Sequence, residues 1–476
     1  MDEDITTYAV NYAMEKGADY AEARIQRDEG FSALYREGRL EAYLTVVREG
    51  IGIRVLMKGA LAFASTGDLK KERIREVVES AIRKASALSE RLKEGTSLAE
   101  EPVSKAKWRA EFKEDPLNIP VEERVEVFKG IEERLRDYVK YLPSRVYELS
   151  ASKTSKLIVN SEGSVIYCER PNVYFSYSLL AYTPGRGSVH RWSELGSSKG
   201  WEAVRGWNLP EKLVEEAKVM MKILEEAKSP PLGEEVDVIL GSEVVGLMVH
   251  ESCGHPSEAD RILGREAAQA GESFMKPDMK GKRIGSKYVT ISDDPTIPGS
   301  SGFYLYDDEG VKARKRILFK EGVINEFLHN RETAAVFKVR SNAAARASSF
   351  DREPIIRMAN TYFEPGDYSF EELIEDIRKG VYIKTFMEWN IDDKRWNQRY
   401  VGLEAYLIER GELKGLVRNP ALEITTGGLY ESIDGVGREL KFYAGICGKG
   451  DPMQGVPVWF GGPEVRVRKI RLSAST

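Results

Sequence analysis

The alternation of apolar and polar residues along this chain changes period in an ordered way, and the changes divide it into helices and strands. An opening helix is expected over residues 6–16, stopped by Gly17. Period-two segments follow at residues 20–26, 31–35, 42–47, 51–56 and 60–64, with Gly50 as a separator and Lys58-Gly59 as a hairpin turn. Asp68 is an expected N-cap, because Ile74, Val77, Val78, Ala81, Ile82 and Ala85 recur behind it at helical spacing. The pattern predicts an antiparallel sheet flanked by helices.

Residues 92–116 are polar and irregular and predict a linker. Pro120 suits the first turn of a second helix that runs through Val125, Phe128 and Ile131 to Leu135. Two hairpin strands are expected at 156–159 and 164–168, joined by Asn160-Ser161-Glu162-Gly163. A third strand is expected at 173–181, a loop at Gly185-Arg186-Gly187-Ser188, and a helix at 211–227. Ser229-Pro230-Pro231-Leu232-Gly233 reads as a boundary, since proline biases its neighbour toward extended backbone. Beyond it come a buried strand at 236–240 and a helix at 243–253. Most of the remainder alternates between glycine-containing turns, as at Glu321-Gly322 and Arg410-Gly411. The expectation is an α+β chain. Residues 1–91 would form an N-terminal α/β unit with an antiparallel sheet, 92–228 a middle α/β unit with a linker, and 229–476 a β-rich C-terminal unit with a helix near its start.

Composition narrows the functional classes. An apolar fraction of 42% and a charged fraction of 31% belong to a folded chain rather than a disordered one. The net charge of −5 gives no reason to expect a nucleic-acid partner. No apolar run reaches the roughly 18 residues of a membrane-spanning helix. Met1-Asp2-Glu3-Asp4 is acidic and lacks the basic start of a signal peptide, so a cytoplasmic location is expected. Cys168, Cys253 and Cys447 are odd in number and far apart, which speaks against a disulfide framework.

The segment that carries chemistry is Val249-His250-Glu251-Ser252-Cys253-Gly254-His255-Pro256. Two histidines four apart share one helical face and can hold a metal. Here the spacing is five, which at roughly 100° per residue leaves the rings about 140° out of line. Gly254 tolerates unusual torsions, and Pro256 disfavours helical torsions at His255. Either the helix widens into a π-bulge or it ends just before His255. Glu251, directly after the first histidine, could take a proton from a metal-activated water. A catalytic zinc needs a further protein ligand, and Cys447, flanked by glycines in Gly445-Ile446-Cys447-Gly448, is the best candidate. Cys253 is an alternative ligand that would crowd His255, and Cys168 reads as core. His190, in the loop region before Arg191-Trp192, and His329, after a strand, are expected in ordinary hydrogen-bonded or surface roles rather than beside a substrate.

At these residues the sequence resembles the TldD/PmbA family of metallopeptidases, specifically its TldD branch. Its His-Glu-x-x-x-His segment and distant C-terminal cysteine fall on His250, Glu251, His255 and Cys447. The pattern continues through Glu258-Ala259-Asp260, Ser292-Asp293-Asp294-Pro295, Tyr306-Asp307-Asp308-Glu309-Gly310, Asn330-Arg331-Glu332-Thr333-Ala334 and Arg357-Met358-Ala359-Asn360-Thr361. The resemblance implies a Zn2+-dependent peptidase acting on peptides or unfolded protein segments. It also implies a dimer, either with a PmbA-like subunit that lacks the metal ligands or of two identical chains. One stretch departs from the family pattern. Phe386-Met387-Glu388-Trp389-Asn390-Ile391-Asp392 stands where glycines are usual, and its bulk should reshape a cleft wall. The competing reading is a non-catalytic peptide-binding or partner-regulating protein with a structural or vestigial zinc. Glu251 beside the ligands favours catalysis, because a structural site needs no base.

Overall fold

The computed structural model describes residues 2–266 and 271–474. Its N-terminal half is built on seven strands. Ala60–Thr66, Arg39–Met57, Tyr20–Arg36, Ser144–Asn160 and Val165–Thr183 lie side by side in that order, all antiparallel. Gly187–Ser197 pairs with the second half of Val165–Thr183, and Lys105–Arg109 runs parallel to its first half. The long strands carry two helix pairs on one face. Glu3–Glu15 and Lys71–Ser89 pack through Ala9, Ala13, Ile74 and Val78 onto Ile25, Ile53 and Val55. Val121–Leu135 and Leu209–Glu226 pack through Phe128, Ile131, Leu213 and Met220 onto Phe31, Tyr147 and Phe175. Ile25 and Phe31 are an even number of residues apart, so one strand face serves both cores.

The expected strands at 20–26 and 31–35 are therefore one strand, as are those at 42–47 and 51–56. The strands at 164–168 and 173–181 are likewise continuous. Glycine does not interrupt them. A Cβ on Gly30 would lie 2.5 Å from the Ala151 carbonyl oxygen, and one on Gly50 would lie 2.4 Å from the Phe350 ring. Both positions need glycine for close approach within a strand. The linker 92–116 contributes the parallel strand Lys105–Arg109. Lys70, not Asp68, is the N-cap residue of the second helix, and Asp68 accepts a hydrogen bond from the Lys70 amide instead.

The C-terminal half contains a nine-stranded mixed sheet and a six-stranded sheet. In the larger one, Glu235–Leu240 lies between Val465–Ala474 and Lys379–Ile383, and Phe386–Ile391 is terminal. In the smaller one, Gln454–Gly462 pairs with Asn360–Phe363 on one side and with the terminal strand Lys441–Lys449 on the other. Ser242–Val249 is an α-helix with every residue buried, and it packs against Gln454–Gly462. At the crossing, a Cβ on Gly246 would lie 2.8 Å from the Gly461 amide nitrogen. The fold is thus mixed α+β, with a β-rich C-terminal part. Among the described residues no helix is long and apolar enough to cross a membrane.

The other face of the N-terminal sheet meets the C-terminal part through polar contacts and an apolar cluster that includes Ile158, Ile166, Phe303 and Tyr304. Arg54 is ion-paired with both Glu22 and Glu309, and Arg24 donates to the carbonyls of Ser349 and Arg352.

Candidate metal centre

The α-helix Ser242–Val249 passes directly into a π-turn, His250–Gly254, and then into a 3-10 turn, His255–Ser257. The amide of His255 donates to the carbonyl of His250 five residues back. A turn closed by an i to i+5 bond places residues five apart above one another, and this resolves the spacing problem posed by the two histidines. Of the two expected routes, widening is the one taken. The local reasons differ from those expected. Gly254 has right-handed torsions, φ −60° and ψ −63°, so torsional freedom is not what it supplies. A Cβ there would lie 1.9 Å from the buried Met358 sulfur, so glycine is required for space. His255 keeps helical torsions, φ −58° and ψ −45°, despite the proline after it. Pro256 sits in the first turn of the 3-10 segment, where no amide donor is needed.

The two imidazole rings are 4.9 Å apart between centroids and nearly perpendicular. Cys447, on the terminal strand Lys441–Lys449, points its Sγ to within 3.5 Å of His255 Nε2. One donor atom from each of His250, His255 and Cys447 lies within 4.8 Å of the others, and all three residues are buried. Two imidazoles and a thiolate are a zinc-type donor set. A tetrahedral zinc with ordinary bond lengths separates sulfur from nitrogen by about 3.6 Å, close to the distance found. Among the described residues, His250 Nδ1 is buried without a protein partner. The three residues present therefore fit a zinc ion. Cys253 is fully buried and lies outside this group, and burial pushes its thiol up.

The electrostatics favour the thiolate of Cys447, the form that ligates a metal, and the protonated ring of His250, whose proton a bound metal would displace. Burial alone would raise the Cys447 thiol, but His255, Arg357 and His250 together hold it well below the usual value. Arg357 donates to the Cys447 carbonyl and to that of Gln454, 2.7 Å away, which ties the hairpin carrying the thiol to the protein interior. Burial would lower His250, but Cys447, Glu251 and Glu258 outweigh it. His255 Nδ1 is 3.1 Å from Glu258 Oε2, and that carboxylate is also 2.6 Å from Arg261 and 3.3 Å from Lys449. A carboxylate on the second ring nitrogen fixes the orientation of a ligating histidine. Glu258 was visible in the sequence only as part of a family pattern. Its place three residues after His255 is the signal for this role.

The donors open into a cavity of about 230 Å³. Glu251 lines it and is ion-paired with the buried Arg395, which lies at a left-handed φ of 64° in the turn after Phe386–Ile391. Phe386 and Trp389, from the stretch that departs from the family pattern, form part of the wall. Glu194, which sequence reasoning missed, enters from the N-terminal sheet. Burial pushes its carboxyl up to about 7, against a hydrogen bond from Tyr174. His190 lies in the strand Gly187–Ser197 rather than in a loop, with Nε2 2.8 Å from Ser178 Oγ. His329 is buried, 3.2 Å from Thr333 Oγ1. Cys168 is buried in the core.

A buried His-Glu-x-x-x-His turn joined to a remote cysteine, on a mixed α+β scaffold, defines a metalloprotease-type centre. Models of the PmbA/TldA metallopeptidase match this chain in three segments: domain 1 over residues 21–85, the central domain over 114–223, and the C-terminal domain over 233–474. A metalloprotease of Methanocaldococcus jannaschii is 31% identical over 94% of this chain and 96% of its own length. A zinc metalloprotease TldD homolog of Saccharolobus solfataricus is 34% identical over 54% of this chain and 56% of its own. A solved structure from Thermotoga maritima, described as a modulator of a DNA gyrase, shares the fold with a TM-score of 0.78 at 18% identity, over 99% of this chain and 100% of that one. The chain belongs to the PmbA/TldD metallopeptidase family and carries the His/His/Cys group of TldD-like subunits.

Proposed function

We propose that this protein is a zinc peptidase in which His250, His255 and Cys447 hold the metal and Glu251 is the general base. The observation that carries the reading is that the three donors and Glu251 line one cavity. Zinc, when bound, acidifies a water molecule and polarises a peptide carbonyl. Glu251 accepts the proton of the attacking water and passes it to the departing amine. Arg395 orients the Glu251 carboxylate, and Glu258 orients His255. Leu247, Phe386, Trp389 and Phe460 line the cavity and keep bulk water from the reacting groups.

The substrate class follows from the walls. Phe386–Ile391 and Lys441–Lys449 are each terminal in their sheets, and both border the cavity. A terminal strand offers unpaired backbone groups to an extended peptide, so peptides and unfolded segments are the proposed substrates. The proposed assembly is a dimer, with a PmbA-like subunit or a second copy of this chain, as the family resemblance implies.

The decisive experiment pairs metal analysis with peptidase assays of the wild type and Glu251→Gln. The variant should retain zinc and lose about 10²–10⁴-fold in turnover. Wild-type turnover in the variant would remove Glu251 from the role. A wild-type protein that binds zinc yet cleaves no peptide would favour the non-catalytic reading.

A further inference from the structure

A second polar cavity lies on the seam between the N-terminal sheet and the C-terminal part, and it shares no lining residue with the cavity at the metal donors. A main chamber of about 270 Å³ and a side chamber of about 30 Å³ share Thr154, Lys156, Arg170, Asp308 and Arg346 as walls. The first three come from the N-terminal sheet. Arg346 comes from the short strand Ala345–Arg346.

The charges in these walls do not balance. Asp308 is 2.7 Å from Lys156 and 3.5 Å from Arg24, so two cations share one carboxylate. Asp28 accepts from Thr154 and Gln26. Among the described residues, two guanidinium groups remain with no carboxylate at ion-pairing distance, although Asp308 and Asp28 lie near enough to Arg170 to favour its charge. Arg346, 5% exposed, donates only to the carbonyls of Met358 and Pro457. Arg170 donates only to the carbonyls of Ser301 and Phe303. Burial, with Arg170 and Arg357 nearby, pushes the Arg346 guanidinium down to about 10. Burial likewise lowers Arg170 and Lys156. Asp307 cannot supply the missing charge, because burial and the neighbouring Glu309 push its carboxyl well up. Buried cations at this density are costly unless an anion joins them.

Residues that line the two chambers also carry buried polar atoms without a protein partner among the described residues. Trp108 is 8% exposed and lines the side chamber, and its indole N–H has no protein acceptor. Ser349 is 6% exposed and lines the main chamber, and its hydroxyl has no partner. Asn172 Oδ1, on the main chamber, is also unpartnered. Such groups are uncommon in a folded protein and mark a place where something polar belongs.

We propose that this seam cavity is a binding site for a small oxyanion, held by Arg170, Arg346 and Lys156 with Trp108 and Ser349 as neutral donors. A planar guanidinium pairs well with two oxygens of a phosphate or a carboxylate. Hydrogenphosphate fits the whole wall best, since its hydroxyl can donate to Asn172 while its other oxygens accept. The main chamber is several times the roughly 30 Å³ share of one water, which leaves room for such an ion and its hydration. The bound ion bridges the sheet to the C-terminal part and stabilises their contact.

The test is a titration of the full-length protein with sodium phosphate, and separately with sodium acetate, at an ionic strength held constant with sodium chloride. Melting temperature and calorimetric heat are the readouts. Phosphate also ligates zinc, so each titration is run with metal in place and after chelation. A saturable rise in melting temperature with the same midpoint in both metal states is expected. Arg346→Met should weaken the midpoint by about tenfold or more, as for loss of a charged hydrogen bond. Trp108→Phe keeps the ring, removes the N–H, and should weaken it by about fivefold. This second variant serves if Arg346→Met does not fold. Response to phosphate alone assigns a phosphate-bearing ligand. Response to acetate as well assigns a carboxylate such as a peptide terminus. Absence of saturable binding by either ion, or unchanged midpoints in both variants, overturns the site.

Discussion

Arg395 donates a charged hydrogen bond to Glu251, and both side chains are buried beside the metal donors. The pair joins the π-turn to the hairpin that departs from the family pattern. Breaking a buried ion pair strands a charge at a cost of about 3 kcal/mol or more. Arg395 has further contacts, so a single variant cannot isolate this one. Arg395→Met should destabilise the protein by about 3 kcal/mol. In a Glu251→Gln background the same change should cost at least about 1 kcal/mol less, since coupled neighbours fail to add. Urea unfolding of the four proteins measures the coupling. Additive losses would mean that the two side chains do not depend on each other.

Zinc content separates the two buried cysteines near the centre. Cys447→Ala removes one of three proposed ligands and should leave the purified protein with little bound zinc. Cys253→Ala removes a thiol outside the donor group and should leave zinc content unchanged. The reverse result would move the thiolate ligand to Cys253.

Glu194 gives the stability a specific pH dependence. Its carboxyl is pushed up to about 7 in the folded protein from an ordinary value of 4.5. The folded state therefore holds this proton more tightly than the unfolded chain does. Stability from this group falls as pH rises between about 4.5 and 7, where the folded state binds more protons. Glu194→Gln keeps an acceptor for the Tyr174 hydroxyl and removes the ionisation. The wild type should lose stability relative to the variant across that window, read from urea midpoints at each pH. Parallel pH curves would place the raised carboxyl elsewhere.

Cleavage should depend on the folded state of the substrate. The donors are buried, and only an extended segment can lie along a terminal strand and present a carbonyl to the cavity. Unfolding a stable test protein should raise its cleavage rate strongly, followed by electrophoresis with folding checked under assay conditions. Equal rates on both forms would require a site open to folded surfaces.

The donor set was legible in the sequence because few residue types ligate zinc and this chain has only four histidines. A break from α-helical spacing was foreseeable because a spacing of five cannot serve one metal from an α-helix, but the choice between a π-turn and a helix end stayed open. The cause of the turn was not legible either. Gly254 and Pro256 look like torsional devices, yet Gly254 makes room for Met358, a contact across 104 residues of chain that local reading cannot reach. Gly50 misled in the same way. It looks like a strand break, and it lies inside a strand because of what crosses it. The roles of Arg395 and Glu194 depend on tertiary placement alone. Strand periodicity carried the α+β architecture, because burial of one sheet face leaves its mark at every second residue.

The hydrogen-bonding distance between His255 and Cys447 spans 192 residues of chain. A ribosome that has just added His255 therefore needs on the order of 10–40 s to reach the cysteine, at ordinary rates of synthesis. Throughout that interval the nascent chain has both histidines but lacks the thiolate and the strand that walls the cavity. The three-residue donor group is complete only once the C-terminal hairpin has been made.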